Sequence, residues 1–235
     1  MQDEVSGIKL ILRERYLLHT QELQKATASE PLTLDEEYAM QRSWRLDADK
    51  LTFIACTVPE GLKQKEGSIS VHLGDDFPDR MIGDVNLFLL QDEEAEEDDA
   101  QNGLTSVIGE VEIMIARKDL QGNGYGRAVL LAFLWYIFMS LDGILREYSK
   151  RSSGNAAGQA LLRYLRVKID AENTRSIRLF ESVGFSKLSQ TPNYFGEIEM
   201  RLKVEEDTLD KIKSKFSHQD IMHSEQPKLA VYAIG

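Results

Sequence analysis

The sequence predicts a single domain of the mixed α/β (α+β) class, one sheet with flanking helices, and three observations carry that expectation. Gly83 to Leu90 and Thr105 to Ala116 read as strands on either side of an acidic stretch, the pattern of a hairpin with a long loop. From Thr105 onward the order changes to strand, helix, strand, through a turn rich in glycine. Glu197 to Val204 alternates once more, with Ile198, Met200, Leu202 and Val204 on one face, and closes the sheet.

The remaining elements follow in order. Ile8 to Leu12 predicts a short strand, its apolar run broken only by Lys9. Ser29-Glu30-Pro31-Leu32-Thr33 marks a turn; Thr33 with Glu36 three residues on is a capping box, so a helix is expected over Glu36 to Trp44. Leu51 to Val58 reads as a strand. The apolar run around Ala128 to Met139 predicts a buried helix from about Arg127 to Leu141. Lys150-Arg151-Ser152-Ser153-Gly154-Asn155 has the composition of a flexible linker, within a stretch at 142–160 that resembles an insertion. Leu162 to Asp170 is a strand with Leu165, Val167 and Ile169 on one face, and a helix over Thr174 to Val183 ends at Gly184. The domain is expected to fill residues 1–204, and 205–235 to be a polar, loosely attached tail with one short helix.

Composition narrows the function classes. The net charge is −11, and seven acids between Asp92 and Asp99 supply most of it, so no basic face is offered to nucleic acid. That acidic stretch is either a solvated loop or a collar attracting cationic substrates. The lone cysteine, Cys56, excludes an internal disulfide, and His19, His72, His218 and His223 have no metal-ligand spacing, so no metal is expected. The first residues lack a signal-peptide pattern, and no apolar run reaches the ~20 residues of a membrane span. A reducing compartment, cytoplasmic or nuclear, is expected; oligomeric state is not legible.

The chemistry lies in Gln121-Gly122-Asn123-Gly124-Tyr125-Gly126, between an apolar strand and an apolar helix. Backbone N–H groups converge at such a helix start, the helix dipole adds partial positive charge, and glycines leave the amides bare for a pyrophosphate. Arg117, Lys118 and Arg127 flank the turn with only Asp119 opposing. The dinucleotide fingerprint needs its third glycine one residue later, and the P-loop needs a following Lys-Ser or Lys-Thr.

The spacing of Gln121, Gly124 and Gly126 instead resembles the Q/R-x-x-G-x-G/A signature of GNAT acetyltransferases. The run Asn173-Thr174-Arg175-Ser176-Ile177-Arg178-Leu179-Phe180-Glu181-Ser182-Val183-Gly184-Phe185 is similar to a second motif of that family, whose Asn and the residue three positions on lie beside the pantetheine arm. Thr27 to Leu34, Gly83 to Phe88 and Gly109 to Ile115 further resemble the N-acetyltransferase 9-like group. The resemblance implies a GNAT fold, a mixed, mostly antiparallel sheet splayed around acetyl-CoA between the strands at 105–116 and 162–170. It implies cofactor contacts from the backbone of Ile113, Met114 and Ile115, from Gln121 through Gly126 with Arg127, and from Asn173 and Ser176. The family's fuller first strand and helix are shortened here, which bears on the acceptor groove.

The implied reaction is transfer of acetyl from acetyl-CoA to a primary amine of a protein or peptide. A strand N–H near Met114 or Ile115 would stabilise the carbonyl oxygen, and Glu110 or Glu112, which share a strand face, would take the amine's proton, each alternatively being satisfied by a basic neighbour. Phe180 stands where many relatives carry a proton-donating tyrosine, which leaves Tyr194 or an unassisted thiolate. Two competing readings stay open: a GNAT-fold binding protein weakened in catalysis, and a nucleotide-dependent enzyme using the glycine turn.

Overall fold

The computed structural model describes residues 9–11, single positions between 33 and 43, and the segments 47–57, 78–95, 104–152 and 159–215. Among the described residues seven strands form one sheet: β1 (Lys9–Ile11), β2 (Lys50–Cys56), β3 (Met81–Gln91), β4 (Leu104–Ile115), β5 (Gln159–Asp170), β6 (Ser186–Lys187) and β7 (Glu197–Lys203). Their spatial order is β1-β2-β3-β4-β5-β7-β6. Every neighbouring pair is antiparallel except β4 and β5. That parallel pair needs a crossover, and the helices α1 (Tyr125–Met139) and α2 (Leu141–Ser152) supply it. Helix α3 (Thr174–Val183) follows β5, and α4 (Thr208–Ser214) follows β7.

The core lies between one face of the sheet and α1. Val129, Leu130, Leu131, Phe133, Leu134 and Ile137 of α1 are buried against Phe53, Val85, Leu87, Val111 and Leu165. The Phe133 and Phe53 rings meet edge-on at 5.3 Å. Each such side chain contributes roughly 1.5–3 kcal/mol of burial, which holds α1 and therefore its N-terminus in register with β4.

Two glycines mark where the sheet is too crowded for a side chain. A Cβ on Gly83 would lie 1.8 Å from the Met114 carbonyl oxygen, so the end of β4 closes onto β3 only because position 83 is bare. A Cβ on Gly109 would lie 2.6 Å from Leu165 Cδ2 and 2.8 Å from Leu87 Cδ1. Gly109→Ala is therefore expected to lower stability by about 1–3 kcal/mol, read as a lower denaturant midpoint with unchanged slope.

Most elements match expectation to within two residues, and the Thr33–Glu36 capping box forms, with Thr33 N–H donating to Glu36 Oε2 at 2.8 Å and Glu36 N–H to Thr33 Oγ1 at 3.4 Å. Two expectations need correction. Residues 141–152 are helix α2, bent 68° from α1, so Lys150, Arg151 and Ser152 are not linker; Ser153 to Asn155 lie outside the described residues. The segment after 204 is not loose at its start. Thr208 and Ile212 of α4 are buried, and Arg127 Nη2 donates to the Lys215 carbonyl at 2.6 Å, because Ile212 completes the core beside α1. Residues 216–235, with His218 and His223, lie outside the described residues, as do His19, His72 and residues 96–103 of the acidic stretch. The beginning of that stretch is held: Asp92 is buried, and Glu94 accepts from Arg201 Nη1 of β7 at 3.1 Å. Among the described residues no single helix is long and apolar enough to cross a membrane.

Candidate active site

The parallel pairing of β4 and β5 stops at Glu110 and Arg166, while β4 continues to Ile115 and β5 to Asp170. Beyond that point β4 pairs only with β3 and β5 only with β7. The sheet is thus splayed, leaving a wedge with one exposed main-chain edge on each side. Ala116 N–H donates to the Ile82 carbonyl of β3. By the alternation of an antiparallel ladder, Met114 then turns its main-chain groups to β3, and Ile113 and Ile115 turn theirs to the wedge. Of the three backbone positions expected to meet a ligand there, Ile113 and Ile115 face it, and Met114 does not.

The glycine turn stands at the mouth of this wedge. Gly122 and Gly124 both have φ of 86°, a conformation other residues adopt only with strain. Gly124 is the N-cap of α1 and among the described residues no side chain caps that helix, so its first N–H groups are left to a ligand or solvent. A Cβ at Gly124 would meet no atom of the described residues within 4 Å beyond its chain neighbours, so the space beside this N-cap is open. Gly126 differs: a Cβ there would make ordinary contacts, 3.4 Å from Leu179 Cδ2 of α3 and 3.7 Å from Ile115 Cγ1. Polar side chains brace the turn rather than line it. Gln121 Nε2 donates to the Ile115 carbonyl at 2.7 Å, and Asn123 Nδ2 to the Asp119 carbonyl at 3.2 Å.

The cations around the turn are distributed differently from expectation. Arg117 donates through Nε to Asp119 and through Nη1 to the Asp79 carbonyl, and Arg127 clamps α4. Arg175 supplies charge instead: its Nη2 lies 3.2 Å from where a Cβ on Gly122 would sit, and its guanidinium has no ion pair among the described residues. Sequence reading placed Arg175 inside the second motif without a role; its reach to the turn depends on how α3 leans on α1. Asn173 is the N-cap of α3, its Oδ1 accepting from Ser176 N–H at 3.1 Å, so both residues stand at the far side of the wedge mouth. Turn amides, open space and Arg175 together fit the diphosphate of a coenzyme A thioester.

The two candidate bases are separated by their partners. Glu110 Oε2 accepts from Arg166 Nε at 2.7 Å and lies 3.9 Å from Lys168 Nζ. Glu112 has no hydrogen bond or ion pair among the described residues. It reaches solvent, yet partial burial of its carboxyl, the nearby Glu110 and Asp84 all raise its pKa. A carboxylate free to accept, with raised basicity, is suited to removing a proton, and Glu110 is not. Sequence reasoning missed Asp84, whose pKa burial also raises, because nothing in a single strand shows that β3 brings it beside Glu112. Phe180 is buried against Phe185 at 5.0 Å, and Tyr194 stands 96% exposed beside Phe195.

Known proteins resemble this chain over most of its length. The family model described as acetyltransferase (GNAT) domain matches residues 12–186. The N-acetyltransferase 9-like protein of Schizosaccharomyces pombe is 38% identical, covering 82% of this chain and 88% of its own. The human alpha/beta-tubulin-N-acetyltransferase 9 is 34% identical over 86% of this chain and 78% of its own. Among solved structures, an aminoglycoside acetyltransferase in complex with coenzyme A superposes with a TM-score of 0.51 at 13% identity, over 88% of this chain and 99% of that one.

Proposed function

Since the chain belongs to the GNAT acetyltransferase family, we propose that it transfers acetyl from acetyl-CoA to a primary amine of a protein or peptide. The observation that carries this reading is the conjunction of an uncapped, glycine-opened helix start with a splayed strand pair and an unpaired basic carboxylate beside it. Bound acetyl-CoA supplies an activated thioester. The main-chain amides between Gly122 and Arg127, with the Arg175 guanidinium, hold its diphosphate, and the main chain of Ile113 and Ile115 faces its pantetheine amides. Asn173 and Ser176 stand across the wedge from them.

The N–H of Ile113 or Ile115 points to where the carbonyl oxygen gains charge. Glu112 takes a proton from the acceptor ammonium, directly or through water, so the neutral amine can attack. The amine nitrogen forms the new C–N bond and gives up its second proton to water, the C–S bond breaks, and the thiolate leaves. Buried Phe180 donates no proton to it, and a thiolate is a good enough leaving group to depart unaided.

The relatives named as tubulin acetyltransferases make α- and β-tubulin the first acceptors to try. Incubation of the full chain with acetyl-CoA and unacetylated tubulin, followed by peptide mass spectrometry, is expected to give an acetylated amine absent without enzyme. Acetyl-CoA binding with no transfer to tubulin or to a panel of amine-bearing peptides would leave the binding-protein reading in its place.

A further inference from the structure

On the face of the sheet opposite α1, four polar side chains from three strands stand together. Thr52 of β2 is the register partner of Asn86 on β3, and Asn86 that of Glu112 on β4. Asp84 lies two residues from Asn86 and so shares its face. Asn86 is 6% exposed; its Nδ2 donates to Asp84 Oδ2 at 2.8 Å, and among the described residues its Oδ1 has no hydrogen-bond partner. The buried Oγ1 of Thr52 also has none. Native proteins rarely leave such atoms unmet, because each one stripped of water costs free energy, so two on neighbouring strands mark a place where something else belongs.

The chemistry of the four groups says what. Carboxylates and an amide oxygen only accept, and the threonine hydroxyl can do either. The cluster therefore lacks a donor carrying several hydrogens. Burial of Asp84 and partial burial of Glu112 add a demand for positive charge. Glu110, next along the same face, does not compete, since Arg166 already neutralises it. A primary ammonium has three N–H groups and one positive charge. Glu112 sits in the part of β4 beyond its pairing with β5, so the cluster adjoins the wedge.

We propose that Asn86 is an acceptor-binding residue: with Thr52 it receives the primary amino group of the substrate and presents it to Glu112, while Asp84 positions the Asn86 amide. The inference rests on the acetyl-transfer reading above. Asn86→Leu keeps the size of the side chain and removes its acceptor. Two peptides supply the amine, a lysine-free one with a free α-amino group and an N-formylated one carrying a single lysine; the one acetylated identifies the source. With that peptide, Asn86→Leu is expected to raise the acceptor KM by about tenfold, the loss of one hydrogen bond to a charged group, while calorimetry finds acetyl-CoA affinity within twofold of wild type. An unchanged acceptor KM, or a parallel loss of acetyl-CoA affinity, overturns the assignment. If Asn86→Leu does not fold, Thr52→Val, which removes only the hydroxyl, is read in its place: an acceptor KM raised about threefold supports the site and no rise refutes it. A wild-type chain that acetylates neither peptide defeats both readings, whereas an active wild type with an indifferent variant defeats this one alone.

Discussion

Calorimetry on Gly124→Val is expected to show acetyl-CoA affinity reduced by about 100-fold or more. The residue sits at φ 86°, where a β-branched side chain is strained, so folding loses roughly 1–3 kcal/mol. The larger loss is in binding. A Cβ at 124 meets no atom of the described residues within 4 Å beyond its chain neighbours, so the added bulk enters open space at the start of α1, where the diphosphate would lie. Losing two hydrogen bonds to a charged group at about 1.5–3 kcal/mol each is enough for that factor. Gly126→Ala is the control, since its Cβ would make an ordinary contact with Leu179 at 3.4 Å, and near-normal affinity is expected. Wild-type affinity in Gly124→Val would remove the turn from the mechanism.

Glu112→Gln is expected to reduce kcat by about 10²–10⁴ with acetyl-CoA affinity unchanged. Because burial and the neighbouring Glu110 and Asp84 raise the Glu112 pKa, the acid limb of kcat/KM in the wild type should lie above the usual glutamate range, and the variant should lack it. The same shift has a sign for stability. Between the ordinary and the raised pKa the native state binds more protons than the unfolded chain, so this group lowers stability as pH rises through that window. Gln cannot ionise, so the variant should not share that decline and should be no less stable at neutral pH. Lost activity with intact melting would then be chemical. Unchanged rates across the pH range would exclude Glu112 and return attention to Glu110, whose pairing with Arg166 argues against it.

The legible parts of the protein were those written in local chemistry. Thr33 and Glu36 form their capping box, Gly184 ends α3 at φ 111°, and the hairpin, the crossover and the closing strand lie where the patterns put them. Helix α2 escaped because Lys150-Arg151-Ser152 is polar and followed by Ser153-Gly154-Asn155; a helix exposed on one side resembles a linker when only composition is weighed. The attachment of α4 escaped for a similar reason. Buried Thr208 and Ile212, the bond from Thr208 Oγ1 to the Lys203 carbonyl and that from Arg127 help hold it, and none of these is a sequence pattern.

By itself the sequence determined the class of the fold, the glycine turn and the second motif, because each depends on residues adjacent along the chain: left-handed glycines, a capping asparagine, an alternating strand. Tertiary structure alone decided the division of labour among the charged residues. Arg117 and Arg127 are spent on neighbours and Arg175 faces the turn; Glu110 is neutralised and Glu112 left basic. Pairing between distant strands sets those partnerships, and a charge's role depends on which other charge, and how little water, the fold places beside it.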